Sequence, residues 1–458
     1  MAETDPARPN VLLVVLDAAR RDALTPYGAP AGATPAIADL ARRGHALPHA
    51  YATSSWTLPS HASMLTGALP RALGLSQPPD GSPQSARAVL SGLGDRLLPA
   101  RLGAAGYARH GFSANLWASG HAGFDTGFDD FTYRPSERVE RNNLLLGGGR
   151  RARLAWALEG LGSRSDDGAD ALRGALTESI NAAASQPDRP SFWFVNLIEC
   201  HSPYLPPRPW NDLGPAERVR AAIDSQRYMG FEAICLQAAG GSVVPPESMA
   251  RMRHLYERSI AYMDAWLADV LEALDRRGIL EQTLVIVTAD HGESFGEDGF
   301  VAHGFSLGEQ LINVPLVMAG PGAEPVERVF SLAELPQVIA RAAGISCDPW
   351  PSEDLPAGAA VAQYDPMAPA DDPRIVDFAA RFAIGAEGVR RLTTAVTAAT
   401  DGVHKLVRSD DGAPDRLYDL RADPGEQAPM SNPPPAHLRA AIEHRTAGIE
   451  GGAVGAAG

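Results

Sequence analysis

Asn10-Val11-Leu12-Leu13-Val14-Val15-Leu16-Asp17 is an almost unbroken apolar run, partly β-branched, that stops at a carboxylate. Such a run reads as a parallel strand buried on both faces. Two later segments repeat the pattern. Ser191-Phe192-Trp193-Phe194-Val195-Asn196-Leu197-Ile198 leads into Glu199-Cys200-His201, and Leu284-Val285-Ile286-Val287-Thr288 runs into Ala289-Asp290-His291-Gly292-Glu293. Further strands are expected at 107–115 and 314–319. Helical patterns lie between them at 34–44, 86–106 (kinked or split at Pro99), 170–184, 246–277 and 332–344. Open α/β sheets place their chemistry at the C-terminal ends of the strands. Asp17, His201, Asp290 and His291 all fall there.

A second stretch faces the same end: Trp56-Thr57-Leu58-Pro59-Ser60-His61-Ala62-Ser63-Met64-Leu65-Thr66-Gly67. It suits a strand-to-helix turn with Thr57 at the apex and Met64 and Leu65 toward a core. Pro59 fits the first helical turn, where its missing N–H costs nothing. Thr57 is thereby presented near a helix N-terminus, a place that favours anions. A threonine before Leu-Pro can equally be a simple helix cap; it is the other strand ends that turn this one into a candidate nucleophile.

The composition is that of an ordinary globular protein, 45% hydrophobic and 21% charged over 458 residues. That length suits one large domain, assigned to 1–350, with a smaller one after it. A net charge of -15 argues against nucleic acid or an anionic membrane as the main partner. An anionic substrate then needs a locally positive site, which a metal would supply. Cys200, Cys235 and Cys347 are too few and too scattered for a disulfide framework or a zinc ribbon. The first nine residues lack a signal-peptide apolar region, and no segment is long enough to span a bilayer, so a cytoplasmic location is expected. Lys405 is the only lysine.

Residues 134–190 are polar and rich in Arg and Gly, with a helical patch at 152–161, and read as a variable insertion. Residues 123–131 read as a loop over the site. After about residue 352 the strands shorten and Pro, Ala and Asp dominate. A small antiparallel-sheet subdomain is assigned to 351–447 and a flexible Gly/Ala tail to 448–458. Nothing in the sequence specifies an oligomeric state.

Two carboxylates, an imidazole and a hydroxyl gathered at strand ends make a fair site for a divalent cation. Six pieces of the chain, in order, make the case stronger. They are Val15–Asp22, Thr57-Leu58-Pro59-Ser60-His61 with Leu65-Thr66-Gly67, Cys200-His201-Ser202-Pro203-Tyr204, Asp290-His291-Gly292-Glu293, His303-Gly304 with Val314-Pro315-Leu316, and Leu417-Tyr418-Asp419-Leu420 with Asp423-Pro424. Together they resemble the sulfatase family of the alkaline phosphatase superfamily and span nearly the whole chain. The resemblance implies a doubly wound, mainly parallel α/β core with a smaller C-terminal sheet. It implies Asp17, Asp290 and His291 as ligands of a metal beside a nucleophile at Thr57, which itself completes the set. It also implies His201 and His303 on the substrate side, with Ser60 and His61 as substrate-binding positions.

The departures from the family pattern bear on the chemistry. Typical sulfatases carry Cys or Ser where Thr57 stands and convert it to formylglycine; a threonine would give a ketone instead of that aldehyde. The family's arginine is His61, its second metal-binding Asp is Ala18, and its active-site lysines have no counterpart. An unmodified Thr resembles the phosphoryl-transferring members, phosphodiesterases and phosphoethanolamine transferases. The latter also share the pattern of His291-Gly292-Glu293-Ser294 followed by His303-Gly304. The expectation is a hydrolase of a small anionic phosphodiester, phosphonate ester or sulfate ester. It would act through a covalent Thr57 intermediate, with one strongly held zinc, manganese or calcium ion and no formylglycine. His201 or His303 would serve the leaving oxygen. A second metal would need Glu199, the only carboxylate adjacent to His201. Arg20 reads as structural and Cys200 as a small buried hydrophobe. Three alternatives stay open: a sulfuric ester hydrolase working without formylglycine, a soluble phosphoryl transferase, and a non-catalytic anion-binding protein.

Overall fold

The computed structural model describes residues 8–136, 158, 160–162, 165–348, 350 and 355–443. The apolar run found first is the strand Asn10–Leu16, buried from Val11 onward. It lies at the centre of a seven-stranded sheet, between Ser191–Leu197 and Thr283–Thr288, and runs parallel to both. Two strands at one edge, Ala108–Ser113 and Asp130–Tyr133, are also parallel. At the other edge Leu316–Ala319 and His45–Ala46 are antiparallel. A sheet buried on both faces needs apolar residues along its strands, and the three central strands supply them, their polar residues falling at the strand ends (Asn10, Ser191, Thr283, Thr288) except for Asn196.

Helices cover the sheet in two groups. Pro35–Arg43, Ala169–Ala184 and Pro246–Arg276 pack on one another, as do Thr57–Thr66, Leu98–Ala104 and Leu335–Ala342. Asp264 on the long helix accepts hydrogen bonds from the backbone N–H of Ala36 (3.0 Å) and Ile37 (2.8 Å), so it satisfies the orphan donors at the start of the first helix. Four antiparallel strands, Ala360–Tyr364, Val396–Thr400, His404–Ser409 and Arg416–Asp419, form a separate small sheet. Lys405 lies on it with no exposed surface. Its Nζ donates to Leu307 O (2.5 Å) and pairs with Glu426 (2.9 Å) and Glu309 (3.2 Å). Among the described residues no helix is long and apolar enough to cross a membrane.

Several elements differ from the expectation for local reasons. The helical stretch at 86–106 breaks before Pro99, into Pro83–Ser91 and Leu98–Ala104. Gly94 takes φ +52° in the gap, and Pro99 then starts the next helix. The strand at 314–319 divides at Pro315, which has no N–H for a ladder. Asn313–Val314 pairs with Ala50–Tyr51 in a small three-stranded sheet, and the remainder joins the main one. Asp130 and Phe131, expected in a loop over the site, belong to the edge strand, while Phe124 packs edge-on behind His61. Within 134–190, the helix Ala169–Ala184 is a core element, with Leu172, Leu176 and Ile180 buried. Most of the patch at 152–161 and the whole tail at 448–458 lie outside the described residues.

Candidate active site

Asp17 follows directly on the central strand, and its N–H donates to Leu197 O of the neighbouring strand (2.8 Å). Its carboxylate is fully buried. Oδ2 accepts from Asn115 Nδ2 (2.6 Å) and Asn196 Nδ2 (3.3 Å), whereas Oδ1 has no hydrogen-bond partner. Ala18 then turns the chain at φ +62°, and its N–H donates to Asp290 Oδ1 (3.1 Å). That contact ties the two carboxylates together although 272 positions separate the residues that make it.

Asp290 and His291 leave the strand Thr283–Thr288 on a turn held against a neighbouring loop. Gly292 N–H donates to Leu311 O (2.7 Å), and a Cβ at Gly292 would lie 2.0 Å from Gln310 O, so only glycine fits. His291 Nδ1 donates to Gly292 O (2.8 Å), which fixes its tautomer and leaves Nε2 facing the carboxylates. Nε2 lies 3.5 Å from Asp290 Oδ2 and 3.8 Å from Asp17 Oδ1. Burial pulls the His291 imidazole below its ordinary range and favours the neutral form that a cation requires. Burial alone would raise the Asp290 carboxyl, but His61 and the N–H of Ala18 stabilise the carboxylate and the group is held below the usual carboxylate range.

Asp17 Oδ1 and His291 Nε2 are buried without a hydrogen-bond partner, and Asp290 Oδ2 has only His61 Nδ1 near it, at 3.3 Å. Asp17, Asp290 and His291 each offer a ligand atom within 4.8 Å of the others, and this is the only such metal-type group among the described residues. Unpaired or poorly paired buried polar atoms are costly. Three that converge, two oxygens and one nitrogen, fit a divalent cation.

Thr57 is the first residue of the helix Thr57–Thr66, all of whose side chains are buried. The Nδ2 that Asn115 donates to Asp17 also lies 3.4 Å from Thr57 Oγ1, so a single amide spans hydroxyl and carboxylate. His201 and His303 stand beside the cluster. Their rings are 4.8 Å apart, and the ring of His303 is 4.4 Å from that of His291. Burial alone would lower the His201 imidazole, but the charges of Asp17 and Glu293 outweigh it and raise it. Burial and the neighbouring His201 push His303 down to about 3.

Other expected residues have different places. Ser60 and His61 do not offer free groups to a substrate. Ser60 Oγ donates to Asp290 O (2.6 Å). His61 Nδ1 lies 3.0 Å from Thr57 O and 3.3 Å from Asp290 Oδ2, with Nε2 3.1 Å from Asn196 Nδ2. Both side chains pack behind Thr57 and Asp290. Glu199 turns away from His201 and receives the N–H groups of Asp167 (2.9 Å) and Ala169 (3.0 Å) at the start of the helix Ala169–Ala184. Its carboxylate caps that helix. Arg20 is structural, bridging Asp22 (2.6 Å), Glu297 (2.6 Å) and Glu293 O (3.0 Å). Cys200 Sγ donates to Asp17 O (3.0 Å), and burial lifts its thiol well above the ordinary value. No role follows from the sequence for Asn115, Asn196 or Glu293, although Asn196 stands out as a lone amide inside an apolar strand and Glu293 falls within the Asp290-His291-Gly292-Glu293 motif.

A mainly parallel α/β sheet carrying a hydroxyl, two carboxylates and imidazoles at one end is an arrangement suited to an ester hydrolase. More narrowly, the chain belongs to the sulfatase family, whose model, described as "Sulfatase", matches residues 9–345. The choline-sulfatase of Rhizobium meliloti (strain 1021) is 24% identical over 464 residues, covering 93% of this chain and 83% of that protein. Among solved structures, the phosphonate monoester hydrolase of Agrobacterium radiobacter superposes with a TM-score of 0.60 at 20% identity, covering 97% of this chain and 94% of that one. A 2-O GAG sulfatase superposes with a TM-score of 0.64 at 18% identity, covering 97% and 91%.

Proposed function

We propose that this protein hydrolyses a small phosphodiester or phosphonate ester through a covalent ester on Thr57. The observation that carries the reading is an unmodifiable hydroxyl at a helix N-terminus, joined through Asn115 to the buried Asp17–Asp290–His291 cluster. Asp17, Asp290, His291 and Thr57 Oγ1 would hold a divalent ion (zinc, manganese or calcium), which supplies a lowered hydroxyl pKa and charge neutralisation on the substrate oxygens. The chain's own groups do the rest. The helix that begins at Thr57 orients Oγ1 and favours the anionic substrate. Asn115 holds Oγ1 beside Asp17. Thr57 Oγ1 forms the new bond to phosphorus as the bond to the leaving oxygen breaks. His303 or His201 protonates that oxygen, and water then releases the product from Thr57.

A second reading, sulfate-ester hydrolysis without formylglycine, is favoured by the choline-sulfatase relative, which aligns over most of both chains. One assay separates them. An aryl phosphodiester, an aryl phosphonate ester, an aryl phosphate and an aryl sulfate are offered with zinc, manganese or calcium to wild type and to Thr57→Ala. Turnover of a phosphorus ester that disappears in Thr57→Ala supports the first reading. Turnover of the sulfate alone supports the second. Activity that survives in Thr57→Ala removes Thr57 as nucleophile. No turnover at all, with no metal bound by elemental analysis, would leave a non-catalytic anion-binding protein.

A further inference from the structure

We propose that Glu293 is the positioning residue for His303, and that the pair presents His303 Nε2–H to the leaving oxygen; the proposal rests on the Thr57 reading above. Glu293 Oε1 lies 3.1 Å from His303 Nδ1, and the Glu293 side chain is fully buried. With Nδ1 engaged, Nε2 is the ring nitrogen left for chemistry.

The backbone is built to hold this pair. Ser294 pairs with Ala302 and Phe295 with Val301 in a two-stranded hairpin, so Glu293 and His303 face each other at its open end. The turn between the strands is locked by Glu297, which accepts the N–H of Phe295 (2.5 Å) and pairs with Arg20 (2.6 Å). Arg20 also donates to Glu293 O (3.0 Å), which fixes the root of the carboxylate. His303 sits between two residues of positive φ, Ala302 at +60° and Gly304 at +85°. For an alanine that conformation is unfavourable, so the surrounding contacts must impose it. One of them is Gly304 N–H to Ser55 O (3.0 Å), which ties the His303 turn to the segment carrying Thr57.

The proton balance follows from this geometry. Before reaction, one proton is on His303 Nε2 and one is shared between Glu293 Oε1 and His303 Nδ1. When the bond from phosphorus to the leaving oxygen breaks, the Nε2 proton moves to that oxygen. The shared proton stays on Nδ1, and Glu293 is left as a carboxylate. In the hydrolytic half, the attacking water returns a proton to Nε2 as its oxygen bonds to phosphorus and the Thr57 ester breaks.

The test compares a 4-nitrophenyl ester, which leaves without a proton, with an alkyl ester of the same acid, which needs one. Glu293→Leu removes the hydrogen bond, whereas Glu293→Gln still offers an acceptor oxygen to Nδ1–H. Glu293→Leu is expected to lower kcat/KM for the alkyl ester about 100-fold and for the nitrophenyl ester less than about fivefold. Glu293→Gln should recover at least tenfold of the alkyl loss. Adding His303→Ala to Glu293→Leu should cost nothing further. Bound metal, by elemental analysis, should not change. Equal losses on both esters, additive losses in the double variant, or lost metal would each overturn the proposal. If Glu293→Leu does not fold, the leaving-group dependence of Glu293→Gln against His303→Ala decides in the same way. Activity persisting in Thr57→Ala would instead sink the underlying reading, so the two failures are told apart.

Discussion

His61 Nδ1 lies 3.3 Å from Asp290 Oδ2, with both side chains wholly buried. Burial alone would lower the His61 imidazole, yet the Asp290 carboxylate outweighs it and raises it. His61 performs a supporting task with both ring nitrogens. It holds Thr57 O and Asp290 on one side and the amide of Asn196 on the other.

His61→Ala therefore strands several buried groups at once. The expected loss is about 2–4 kcal/mol in urea unfolding, with metal affinity about 10–100-fold weaker by calorimetric titration. Unchanged stability together with unchanged metal affinity would show that His61 faces the substrate after all.

Asn115→Ala removes the amide that spans Asp17 and Thr57. The variant should fold, because Asn115 follows the strand Ala108–Ser113 and lies outside its ladder. Its kcat should fall about 10–100-fold with KM little changed, since the amide orients a reacting group. A pure KM effect in steady-state kinetics would make Asn115 a substrate contact.

Much of this site could be read before any coordinates. Asp17, Asp290 and His291 each end an apolar run, and a parallel sheet brings such ends together. What the sequence hid were partners chosen by three-dimensional neighbourhood. Asn115 sits two residues past a strand whose edge position dilutes its apolar pattern. Glu293 belongs to a recognisable motif, but its task depends on the register of a hairpin with two-residue strands. Glu199 is the carboxylate that a second metal would need because it adjoins His201, but adjacency in sequence says nothing of direction at the end of a strand. His61 was placed on the substrate side by position alone, whereas packing turns it inward.

Glu199 gives a clean contrast. Glu199→Gln weakens the charge-assisted cap of the helix Ala169–Ala184 and should cost about 1–2 kcal/mol in thermal or urea unfolding. It should leave kcat and bound metal unaltered. Loss of metal on elemental analysis would restore Glu199 as a ligand.

Lys405 makes stability depend on alkaline pH. Burial alone would lower its ammonium, but Glu426 and then Glu309 outweigh it, so the folded-state value is raised. A raised cation contributes fully below the unfolded value of roughly 10.4 and is lost as pH rises through the folded value. Wild type should keep its urea midpoint between pH 7 and about pH 10 and then lose it more steeply than Lys405→Met. That variant should be about 3–5 kcal/mol less stable at pH 7, because it leaves two carboxylates without their buried partner. Equal pH profiles for the two proteins would refute the assignment.

The burial of that lysine also affects handling of the molecule. A protease that cuts only after lysine has a single target bond in this chain, Lys405-Leu406, in the interior of the small sheet. Cleavage there requires that sheet to open. The yield of the two fragments therefore counts opened molecules directly, without any introduced label.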